Sequence, residues 1–108
     1  MNIWDPDKFV KAWNFAALTH KAQTVPGTEL PYINHVGNVA MEVMTAAALS
    51  NNIDHPNLLI QCALLHDVIE DTEYSYQDIL NQFGASVASG VQALSKDDSI
   101  PTKKEVSV

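Results

Sequence analysis

Between Leu58 and Leu65 the chain is apolar on almost every side of a helix. Leu58, Leu59, Ile60, Cys62, Ala63, Leu64 and Leu65 leave Gln61 as the one polar position. A helix with no face suited to water belongs in the middle of its domain. This one runs without a turn signal into His66-Asp67-Val68-Ile69-Glu70-Asp71, and Asp54-His55-Pro56 marks its start. The spacing predicts one helix from Pro56 to about Asp71. The rest of the chain must wrap a central helix whose C-terminal end carries four titratable groups.

The surrounding segments read as helices too. Asp5-Pro6 is an N-cap followed by proline at the first helical position. Phe9, Ala12, Trp13, Ala16, Ala17 and His20 then keep helical spacing, which predicts a first helix to about Gln23. A loop at Val25-Pro26-Gly27-Thr28 precedes a second helix opened by Pro31, with Ile33, Val36, Val39, Ala40, Val43, Met44 and Ala47 on its inner face and Asn51-Asn52 at its end. Ser75-Tyr76-Gln77-Asp78 has the form of a capping box and Gly84 that of a helix stop, with a last helix from Ala85 to Leu94. No segment alternates at period two. The expectation is an all-α bundle of about five helices forming one domain over residues 1–108, with 96–108 a polar tail. Within that tail, Thr102-Lys103-Lys104-Glu105 resembles the start of a helix that the chain does not continue.

Charge narrows the function. Six basic residues, all Lys, face thirteen Asp and Glu, for a net charge of −7. A nucleic-acid partner is therefore not expected, since such binders carry a basic face. With no Arg, a bidentate clamp on phosphate cannot be built. Phosphate would have to be met by Lys, backbone N–H groups, helix N-termini or a metal. One cysteine, Cys62, rules out a disulfide framework and fits a reduced, cytoplasmic setting. The longest apolar runs are four residues, as from Cys62 to Leu65, so no membrane span is expected.

The end of the central helix is where chemistry is expected. His66 and Glu70 share a face at i,i+4, as do Asp67 and Asp71. Three of these four are acids, placed where the helix dipole is already negative. They must reach solvent or meet a cation, and imidazole with carboxylate suits Mn, Fe or Zn. His35, in the first turn of the second helix, is a further imidazole able to serve as a ligand. His20 lies on the Phe9/Trp13/Ala16 face and reads as a packed, hydrogen-bonded core residue. His55 reads as a surface capping residue, and Cys62 as a small core residue.

Pro31-Tyr32-Ile33-Asn34-His35 followed by Ala63-Leu64-Leu65-His66-Asp67-Val68-Ile69-Glu70-Asp71-Thr72 resembles the HD-domain metal phosphohydrolases, in particular the hydrolase domain of the RelA/SpoT family and its small stand-alone alarmone hydrolases. Thr19-His20-Lys21-Ala22-Gln23 and Phe83-Gly84 support the likeness, which runs from about Phe9 to Lys104. The resemblance implies an HD-type helical bundle that stops short of the family's C-terminal helices. It implies a divalent metal, Mn2+, held by His35, His66 and Asp67, with Glu70 and Asp71 as the catalytic acid/base pair. The implied reaction is hydrolysis of the 3′-pyrophosphate of a small phosphorylated nucleotide of the ppGpp type. Two features differ from the family pattern. Asp97 and Asp98 do not match its last Asp ligand, and Thr24-Val25-Pro26 stands where it has a basic nucleotide loop. A different phosphate ester, and an incomplete HD domain serving as an interaction module, are the alternative readings. With the later helices missing, Val87, Val91 and Leu94 are expected to lie uncovered. The chain is then expected to form a homo-oligomer, a C2 dimer joined through residues 87–108.

Overall fold

A computed structural model describes residues 4–50 and 53–96 of the chain. Among these residues there are five helices of eight or more residues and one single-turn helix. They are α1 (Pro6–Thr19), α2 (Ile33–Leu49), α3 (Pro56–Leu65), α4 (Val68–Asp71), α5 (Tyr76–Phe83) and α6 (Ala85–Lys96). The all-α bundle expected from the sequence is what forms. Among the described residues the one β-type pairing is an antiparallel bridge between Thr24 and Pro31. No helix is long and apolar enough to cross a membrane among the described residues. The polar tail from 97 onward, with Asp97, Asp98 and the Thr102–Glu105 capping pattern, lies outside them.

Helix α3 is the axis, packed against α1, α2 and α6, while α5 lies on α6. Ile60, Leu64 and Leu65 are at most 1% exposed, and so are Val36, Val68, Ile79 and Val91 from the surrounding elements. Burying side chains of this size stabilises the fold by roughly 1.5–3 kcal/mol each. Close contacts set how near the helices come. A Cβ on Gly37 would stand 2.8 Å from the Trp13 ring, and one on Gly90 would stand 2.5 Å from Cys62 Sγ. Phe9 and Trp13 stack at 5.8 Å and pack on the core, as their spacing predicted.

The local signals do what their chemistry requires. Asp5 Oδ1 accepts from the Asp7 N–H at 2.9 Å. Ser75 and Asp78 form a reciprocal capping box, and Gly84 ends α5 at φ +91°, a conformation that favours glycine. His55 sits at the N-cap of α3, but its side chain makes no capping hydrogen bond.

Three expectations need correction. Helix α1 stops at Thr19, not Gln23. His20 leaves helical geometry at φ −99°, ψ 13°, and residues 20–23 continue as tight turns. The helix expected from Pro56 to Asp71 is broken. Asp67, at φ −95°, ψ −4°, separates α3 from the single turn of α4. Nothing in the local spacing marks this break, which falls where Asp67 turns inward to a tyrosine of α2's entry. Finally, Val87 and Val91 are not uncovered: they are 5% and 0% exposed, packed in the core. Leu94, at 56%, is the exposed one of the three.

Candidate metal centre

The entry to α2 and the α3–α4 junction come together at the C-terminal end of α3. Tyr32 is the N-cap of α2 and His35 lies in its first turn. His66 and Asp67 form the junction itself. One ligand atom from each of His35, His66 and Asp67 can be chosen so that all lie within 4.8 Å of one another. Asp67 is 2% exposed, as buried as the core leucines. Its Oδ2 lies 2.9 Å from His66 Nε2 and 3.9 Å from His35 Nε2. It also accepts the Tyr32 O–H at 2.7 Å.

Hydrogen bonding fixes the orientation of His66. Its Nδ1 is 2.6 Å from the Ala63 carbonyl oxygen, which can only accept, so Nδ1 carries the proton. In the neutral ring, Nε2 then turns its lone pair on Asp67 Oδ2. Two acceptors 2.9 Å apart call for a proton or a cation between them. An imidazole whose second nitrogen donates to a backbone carbonyl is the usual arrangement at a metal ligand. His35, with a side chain 40% exposed, completes the set from the solvent side. The donor set of two imidazoles and one carboxylate fits a divalent transition metal.

Of the five site residues expected from the sequence, the structure brings His35, His66 and Asp67 into one cluster. Asp71 lies at its edge, with Oδ2 3.5 Å from the Tyr32 hydroxyl. Glu70 is exposed on α4 and is not in the ligand cluster. His20 is 2% exposed, outside the ligand cluster, with its ring tilted against Tyr32 at 4.7 Å and bonded through Nδ1 to Gln23 Oε1 at 3.0 Å. It is the packed, hydrogen-bonded core residue expected from the sequence, placed at the C-cap of α1. Burial pushes the Cys62 thiol up from its ordinary range, consistent with a core residue and not a nucleophile. Tyr32 and Gln23 were the residues that sequence reasoning passed over. Tyr32 stands three positions before His35, close enough in sequence to share its turn, and that spacing was the available signal.

The family model for the HD domain matches residues 12–107. The chain belongs to the HD-domain family. Its HD domain is 34% identical, over 101 residues, to the guanosine-3′,5′-bis(diphosphate) 3′-pyrophosphohydrolase MESH1 of Drosophila melanogaster, covering 93% of this chain and 54% of that protein. It is 41% identical, over 91 residues, to the bifunctional (p)ppGpp synthase/hydrolase SpoT of Escherichia coli, covering 83% of this chain and 12% of that one. A solved structure described as a metazoan ortholog of SpoT that hydrolyzes ppGpp superposes with a TM-score of 0.74 at 30% identity, over 96% of this chain and 56% of the other. The chain spans about half the length of the MESH1 relatives it matches. In this HD domain, the cluster at the end of α3 is thus formed by the His and the His-Asp pair that carried the resemblance.

Proposed function

We propose that this HD domain is a metal-dependent phosphohydrolase acting on a small phosphorylated nucleotide, with hydrolysis of the 3′-pyrophosphate of ppGpp as its reaction. The observation that carries the reading is the convergence of His35, His66 and Asp67 within 4.8 Å, directly before the turn that bears Glu70 and Asp71. In this reading, His35, His66 and Asp67 hold Mn2+. When bound, the metal lowers the pKa of a coordinated water and offsets phosphate charge, a task that falls to it in a chain without Arg. Glu70, exposed on α4, takes the proton of the attacking water, and Asp71 beside it serves as the second carboxylate. The water oxygen bonds to the phosphorus that carries the 3′ oxygen, the P–O3′ bond breaks, the 3′ oxygen leaves and takes up a proton as the nucleotide's 3′-hydroxyl, and the released pyrophosphate keeps the water oxygen. The cytoplasm is the compartment in which such a nucleotide and a reduced Cys62 would occur together.

The test is pyrophosphate release from ppGpp and from simple nucleotides, with Mn2+ and with a chelator. Mn2+-dependent release from ppGpp is expected. Glu70→Gln should remove most turnover and keep the thermal shift caused by Mn2+. Loss of that shift would make Glu70 a ligand, and no release from any nucleotide would overturn the reading. One observation favours a second substrate. Residues 24–31 contain no Lys or Arg, so this loop offers no basic contact to a guanine nucleotide's phosphates, and preferential release from another phosphate ester would select that alternative. We place the homodimer contact at Leu94, the exposed one of Val87, Val91 and Leu94. Light scattering at micromolar concentration should give a dimer that Leu94→Glu dissociates, and a monomer in both would dismiss it.

A further inference from the structure

Helix α4 is a single turn, Val68–Asp71, and a single turn does not hold its own geometry in water. The direction in which it presents Glu70 and Asp71 must be set by tertiary contacts. Val68 anchors one side in the core. The last carbonyl, that of Asp71, is met from outside the helix: Gln23 Nε2 donates to it at 2.7 Å. The same amide is held at its other end, where Gln23 Oε1 accepts from His20 Nδ1 at 3.0 Å. With the Nε2 end committed to a carbonyl and the Oε1 end to the imidazole N–H, the amide has one orientation. The Gln23 backbone is tied as firmly. Its N–H donates to the His20 carbonyl and its carbonyl accepts the Tyr32 N–H, both at 2.9 Å. Gln23 is therefore where the end of α1, the entry to α2 that carries Tyr32 and His35, and the exit of α4 meet.

We propose that Gln23 is a positioning residue for the Glu70–Asp71 pair: its amide N–H, clamped by His20, fixes the Asp71 carbonyl and so sets α4 against the His35–His66–Asp67 cluster. This rests on the reading above in which those carboxylates act on water. The side-chain bonds of Gln23 go to His20 and the Asp71 carbonyl, not to the ligand atoms. Its loss should misdirect the carboxylates and leave the cluster intact.

Two variants test the idea on the full chain. Gln23→Met removes both side-chain bonds at similar volume. Gln23→Glu keeps the acceptor for His20 and puts an oxygen in place of the donor to Asp71, so it decides the matter if the Met variant fails to fold. Both should lower kcat for ppGpp at least tenfold, with KM within about twofold and the Mn2+ thermal shift retained. In both, amide hydrogen exchange at Asp71 and Thr72, whose N–H groups bond to Asp67 and Val68 carbonyls, should quicken at least tenfold while α3 and α6 keep parental rates. Parental exchange at Asp71 and Thr72, or faster exchange with parental kcat, would overturn the proposal. Joint loss of kcat and the Mn2+ shift would overturn it as well, because the cluster would then have been disturbed. If the parent chain hydrolyses no nucleotide, the functional reading fails. The exchange measurement alone then decides whether Gln23 positions α4.

Discussion

Leu64 and Asp67 are three residues apart, both at most 2% exposed, and held in place by opposite physics. Around Leu64, α3 is gripped by apolar side chains of the core cluster. On this stretch Cys62 Sγ fills the space over Gly90. Around Asp67 the surroundings are polar: the Tyr32 hydroxyl donates at 2.7 Å, and ring nitrogens of His66 and His35 stand 2.9 and 3.9 Å from the same oxygen. The first region is stabilised by area and shape, so damage to it should appear as lost stability. The second contributes little net stability, because a buried carboxylate gives up its hydration to be there. Its justification is chemical, and damage to it should appear as lost binding or turnover.

That contrast can be broken by experiment, beginning where the effect should be greatest. Leu64→Ala should cost about 2–5 kcal/mol in urea denaturation, the range for a large-to-small change in a packed core. A loss under 1 kcal/mol would mean that α3 is not the centre of the fold. Gly90→Ala should come next, at about 1–3 kcal/mol of overpacking, because the new methyl meets Cys62 Sγ at 2.5 Å. Adding Cys62→Ala to it should restore part of the loss, and strict additivity of the two changes would contradict the contact. On the polar side, Tyr32→Phe should cost about 1–2 kcal/mol by leaving Asp67 Oδ2 short of a buried donor, and should weaken the response to Mn2+ more than it weakens the fold. The smallest effect belongs to the Cys62 thiol. Its folded pKa is raised by burial above the unfolded value. Its contribution to stability is thus complete at neutral pH and fades as pH climbs past about 8.5. Cys62→Ala should remove that part of the alkaline decline, and an unchanged profile would refute it.

The two regions also differ in how well the sequence announces them. The apolar run of α3 is readable because burial on every face needs no knowledge of the neighbours. The same holds for features decided within a few residues, such as Asp5 with Pro6, Ser75 with Asp78, and Gly84. The break at Asp67 is invisible to periodicity, because the residue it turns toward, Tyr32, is 35 positions away. Gln23 escaped notice for the same reason, its partner Asp71 lying 48 positions on. Val87 and Val91 were misjudged because their cover is α3 and the core, not a later helix. His35, His66 and Asp67 were expected as a set through the family resemblance, whereas their mutual distances depend on how α2 and α3 pack.

The central claim is that the buried polar end of α3 exists to hold a divalent metal, and a Mn2+ titration read by both thermal melting and bound-metal stoichiometry tests it most directly. One Mn2+ per chain is predicted, with stabilisation of about 2.7 kcal/mol at a hundredfold excess over the dissociation constant, and with both signals absent in Asp67→Ala. A melting temperature indifferent to Mn2+ in the parent chain, or the same rise in Asp67→Ala, would contradict it.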